Sequence, residues 1–60
     1  MEQKLLVHVE VWSEEDERGQ RHLLKQWVMD HNQAEQRRVL GEQCRSAFEA
    51  GQKIVTFARK

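Results

Sequence analysis

The stretch NQAEQRRVLGEQCRSAFEAG, residues 32–51, constrains the fold more than any other part of the chain. Asn32 with Glu35 reads as a capping box, and Gly51 supplies a left-handed stop, so a helix is predicted over about 33–50. At about 100° per residue, Val39, Leu40, Cys44, Ala47, Phe48 and Ala50 share a wide apolar arc centred on Leu40, Cys44, Ala47 and Phe48. Such an arc packs against a sheet or another helix. The other side carries Glu35, Arg38, Glu42, Arg45 and Glu49, alternating in sign. Each neighbouring pair is worth ~0.2–0.5 kcal/mol, and the simplest reading is a solvated face that neutralises itself. Two residues break the pattern. Gly41 borders the arc and costs about 1 kcal/mol relative to alanine. Close approach of another helix or of a second subunit is the expected compensation. Arg37 intrudes beside Cys44 and Phe48, where its stem can lie over apolar surface and its guanidinium can pair with Asp30 or with the acidic run at 14–17.

Strands are predicted on both sides of this helix. In KLLVHVEVW (4–12), Leu5, Val7, Val9 and Val11 alternate with Leu6, His8, Glu10 and Trp12, which places an aliphatic face against the core and a mixed face on the other side. KIVTFAR (53–59) is again rich in β-branched and aromatic residues. Between them, QRHLLKQWVMDH (20–31) puts Leu23, Leu24, Trp27, Val28 and His31 on one helical stripe. It is predicted as a first helix, introduced by Ser13, Asp16 and the acidic run. The alternative is a hairpin strand returning along the first. The expected fold is therefore α+β, one β-α-α-β domain over 1–60 with both helices on one face of two strands, with β-β-α-β as the alternative.

Size then bears on function. Sixty residues bury a modest share of their surface, and chains this short are usually supported by disulfides, a metal or a partner subunit. One cysteine forms no internal disulfide, and three histidines without a second cysteine give no zinc-ligand spacing. A homodimer is the expected support. Ten basic residues balance ten acidic ones. A zero net charge argues against a simple electrostatic nucleic-acid binder and against a polybasic membrane anchor. No apolar run approaches the roughly 18 residues needed to span a bilayer, and Met-Glu-Gln-Lys lacks the pattern of a signal peptide, so a cytoplasmic protein is expected.

The parts of an enzyme are not found in the sequence. It has no phosphate-cradling glycine loop, nucleophile elbow or His-Glu-x-x-His. Cys44 with His22 or His31 could form a thiol–imidazole pair, but a mid-helix cysteine on an apolar arc is expected to be packed and inert. The acids at 14–17 lack the separated environments that acid–base work requires. No catalytic residue, metal or cofactor is expected.

What remains is binding. The first expectation is a small protein-interaction or regulatory module, non-enzymatic and dimeric, whose candidate contact residues are Leu6, Trp12, Arg37 and Gly41. Trp12 is an anchor candidate because tryptophan dominates interface hot spots. The alternative is a DNA-binding regulator of ribbon-helix-helix or helix-turn-helix type; in the helix-turn-helix case Gln33, Gln36 and Arg37 would be the base readers. EQRRVLGEQCRSAFEAG resembles the short orphan proteins of bacteria and their temperate phages. That resemblance implies an accessory, host-modulating role and assigns no functional residue.

Overall fold

The computed structural model describes residues 3–59. Its elements are β1 (Leu6–Trp12), β2 (Leu23–Asp30), α1 (Ala34–Glu49) and β3 (Lys53–Ala58), in a three-stranded antiparallel sheet of order β2-β1-β3. The class is α+β, but the order is β-β-α-β. The predicted β-α-α-β arrangement is wrong, because the segment predicted as a first helix is the second strand of a hairpin.

Backbone satisfaction explains that correction. Ser13 does not cap a helix. Its N–H donates to the His22 carbonyl at 2.7 Å, and its hydroxyl accepts from the His22 N–H at 2.8 Å. Asp16 organises the tip, where its Oδ1 accepts from the N–H groups of Arg18 at 2.8 Å and Gln20 at 2.9 Å. Gly19 turns the chain back at φ 77°, a conformation that favours glycine. Lateral pairing with β1 then satisfies residues 23–30, burying Met29 beside Val7 and placing Trp27 beside Val9.

Alternation divides the sheet into two faces. Val7, Val9 and Val11 of β1 align with Met29, Trp27 and Lys25 of β2 and with Ala58, Thr56 and Ile54 of β3. The helix covers this side. Val9, Val11, Met29 and Ala47 are the buried apolar residues among those described. Lys25 Nζ donates to Gln43 Oε1 at 2.8 Å, which ties the helix to β2. The other face, carrying Leu6, His8, Glu10 and Trp12, has no element of the described residues over it.

The helix ends differ from the prediction at one end. Gln33, not Asn32, is the N-cap, with no side-chain cap bond, and Glu35 pairs with Arg38 at 2.7 Å rather than closing a capping box. Asn32 is held elsewhere: its side-chain amide donates to the Gln3 carbonyl. At the other end Gly51 takes φ 73°, and the Gln52 N–H reaches back to the Ala47 carbonyl at 2.8 Å, a helix stop that feeds directly into β3.

This core is small for its chain. The radius of gyration is 13.0 Å, against about 10 Å expected for a compact domain of this length. The accessible surface is 5043 Å², where a 7.2 kDa folded monomer is expected to show about 4,100 Å².

Two carboxylates tie loops down and make stability pH-dependent. Asp30 Oδ1 accepts from the Leu5 and Asn32 N–H groups, each at 3.0 Å, and these bonds hold its pKa below the ordinary carboxylate value. The Gln20 and Arg18 N–H groups do the same for Asp16. A depressed native pKa contributes stability that is present above the unfolded value of about 3.9 and is lost as pH falls through the native value. The melting temperature is therefore expected to hold steady from about pH 5 upward and to fall below about pH 4. Thermal melts of Asp16→Asn and Asp30→Asn should show a flatter acid limb; parallel acid limbs in all three proteins would contradict these assignments.

Candidate functional site

The uncovered sheet face carries a linked row of polar and aromatic side chains. Residues two apart on a strand point the same way, so β1 sets His8, Glu10 and Trp12 in one row. Glu10 stands between two donors. Trp12 Nε1 donates to Glu10 Oε1 at 3.1 Å, and His8 Nε2 lies 3.2 Å from Glu10 Oε2. A carboxylate only accepts, so Nε2 carries the proton in that contact. Across the β1–β3 ladder, Phe57 lies opposite His8 and stacks on it, ring centroids 4.7 Å apart and planes 29° from parallel. Such cross-strand aromatic pairs are a unit of sheet stability.

Around the row lie large apolar groups with water on one side. Leu6 and Val28 are about two-fifths exposed and Phe57 about half. Val55 flanks Glu10 from β3, and Leu23 stands opposite Trp12 from β2. Leu6 and Trp12, at the two ends of β1, thus bracket an apolar surface with a hydrogen-bonded polar row along its centre. Both oxygens of Glu10 are engaged within the face, which fixes the shape of the row.

Arg37 and Gly41 are not part of this surface. They sit on α1, on the other side of the sheet. Arg37 Nη1 donates to the His31 carbonyl at 2.8 Å and so fastens the β2–α1 turn. A side chain at Gly41 would meet nothing within 4 Å, so no backbone approaches it within the subunit. The first helix expected to pack there does not exist. Gly41→Ala is therefore expected to stabilise the isolated subunit by about 1 kcal/mol through helix propensity, read as a shift in the urea midpoint. A loss of stability would mean that another surface closes on this position.

Cys44 also departs from expectation. It is exposed rather than packed, because the helix turns Leu40, Gln43 and Ala47 toward the sheet and leaves Cys44 on its flank. Phe48, expected at the centre of the buried arc, is 86% exposed. Among the described residues no three metal-ligating side chains cluster, and no helix is long and apolar enough to cross a membrane. The two-helix frame assumed for a DNA reader is absent from them as well. Gln36 Oε1 accepts from the Asp30 N–H at 2.7 Å, and Arg37 Nη1 donates to the His31 carbonyl at 2.8 Å, so both side chains are tied to the β2–α1 turn.

Leu6 and Trp12, the contact candidates of β1, lie on this face, and His8, Glu10 and Phe57 join them there. The spacing of His8, Glu10 and Trp12 was a visible signal. The stacking of Phe57 on His8 depends on the β1–β3 register, which no local pattern supplies. No protein-family model matches the chain, and no curated protein or solved structure matches it.

Proposed function

We propose that this chain is a non-enzymatic protein-interaction module that acts as a homodimer and docks a protein partner on its uncovered sheet face. The observation that carries the reading is that face itself: Leu6, Val28 and Phe57 half in water around the His8–Glu10–Trp12 row. Contiguous apolar surface rimmed by polar groups is the usual character of a protein-binding patch. Trp12 is held in one orientation by Glu10, which lowers the entropy lost when it is buried. An accessory role, as the resemblance to short bacterial and phage proteins implies, is compatible with such a module.

The test compares the native chain with a Leu6→Asp, Phe57→Asp double variant as baits in extract of the source cell. Both substitutions fall on half-exposed positions, and circular dichroism confirms that the variant keeps its sheet. The native bait is expected to retain a defined protein that the variant releases. In a Trp27→Phe background Trp12 becomes the sole tryptophan, and its emission should shift to the blue when that protein is added. Equal retention by both baits, or unchanged Trp12 emission, would remove the uncovered face from the binding role.

A further inference from the structure

The free edge of β3 is a second, distinct surface, on which we infer that another copy of this chain pairs. The inference rests on the dimeric reading above and adds to it the element that makes the contact.

Ladder geometry identifies the backbone groups available. The Arg59 N–H donates to the Leu6 carbonyl at 2.9 Å. Opposed residues on an antiparallel ladder alternate between bonded and non-bonded pairs. Phe57 with His8 and Val55 with Glu10 therefore bond inward to β1. Ile54, Thr56 and Ala58 turn their N–H and C=O groups outward, along the edge.

The two edges of the sheet differ in protection. β2 is obstructed at both ends. A bulge where Trp12 meets Leu23 distorts one end, and Gln36 Oε1 occupies the Asp30 N–H at the other. β3 has no bulge in its pairing and no proline or charge between Lys53 and Arg59. Natural sheets guard an edge with such devices when it is meant to stay single.

The helix flank on the same side is equally bare. Leu40 lines a groove of about 250 Å³ with Leu5, Val7, Thr56 and Ala58, which places the β3 side of the helix. Cys44 and Phe48 follow Leu40 at intervals of one turn. Phe48 is the most exposed large apolar residue described. The surface in excess of a compact monomer is about 900 Å², and a stable interface takes about 800 Å² from each partner.

A two-fold axis normal to the sheet satisfies all of this with one contact. β3 pairs antiparallel with the partner's β3, giving six strands in the order β2-β1-β3-β3-β1-β2. Both helices then lie on the same side, with their Phe48 flanks turned toward each other across the axis. The two uncovered faces join into one surface on the opposite side, available to a larger partner.

Amide hydrogen exchange on the unmodified chain tests this directly. The outward N–H groups of Ile54, Thr56 and Ala58 are expected to exchange as slowly as those of Val55 and Phe57, and to speed up on dilution. Thr56→Pro removes one outward N–H from each copy and spares the β1–β3 ladder, since an edge strand accepts proline where its N–H faces water. Losing both hydrogen bonds should weaken association by about 100-fold, read by sedimentation. Phe48→Glu should weaken it in the same direction. A dimeric mass with freely exchanging Ile54, Thr56 and Ala58 amides would overturn β3 pairing and leave the dimeric module standing. A mass of 7.2 kDa at high micromolar concentration would overturn self-association itself. The amide measurement decides the matter even if Thr56→Pro fails to fold.

Discussion

Val9→Ala is expected to cost about 2–3 kcal/mol. Val9 is the centre of the sheet, fully buried, paired with Trp27 on one side and Thr56 on the other, and covered by the helix. The substitution removes two carbon groups worth about 0.8 kcal/mol each and leaves a cavity that the rigid pairing on both sides cannot close. A chain of this length is stable by only about 3–9 kcal/mol in total. Few other buried apolar side chains share the load, so the urea midpoint should fall by roughly 2 M. Val28→Ala makes the same deletion on the uncovered face, where the side chain is 42% exposed, and should cost less than half as much. Equal losses at the two positions would show that the faces of the sheet have been exchanged.

Arg21→Ala should have the next largest effect, about 2 kcal/mol. Its Nη1 donates to two carbonyls at 3.0 Å, that of Ser13 at the end of β1 and that of Gly51 at the helix stop. Its Nη2 lies 3.8 Å from Glu15. One side chain thus joins the β1–β2 hairpin to the turn that launches β3. Hydrogen bonds from a charged donor contribute about 1.5–3 kcal/mol each when sheltered, and partial exposure of Arg21 lowers the sum. Arg21→Lys should recover little, because an ammonium does not reproduce the spread of the guanidinium fork. Retained stability in Arg21→Ala would show that the hairpin and the helix stop hold together without it.

The sequence made the helix and the outer strands legible for clear physical reasons. The 33–50 segment carries a 3.6 period broken only at Arg37 and Gly41 and ends on a glycine, and β1 has strict alternation of valines. The 20–31 segment was misread because two causes blurred its period. The bulge where Trp12 meets Leu23 puts Leu23 and Leu24 side by side. The sheet is also covered on one face only, so both faces of β2 carry large apolar groups: Trp27 and Met29 on one, Val28 on the other. Residues at 23, 24, 27, 28 and 31 then satisfy a helical stripe by accident. The misreading carried into the site. The meeting of Phe57 with His8 depends on the β1–β3 register, which a two-strand expectation leaves open, and Phe48 stands out of the core because no first helix exists to cover it. Leu6 and Trp12 were legible because their strand was.

The strand order sets a timetable for folding. β1 lies in the middle of the sheet, yet its two neighbours reach it at different cost. Residues 13–22 link it to β2, whereas residues 13–52 separate it from β3, a loop about four times longer whose closure costs roughly 1.2 kcal/mol more. The hairpin tied by Asp16 should close first, on the microsecond scale of such units, and present β1 as a template. β3 arrives last and brings the helix down over the valines. Substitutions at the Asp16 turn should then slow refolding, while those in β3 should mainly hasten unfolding.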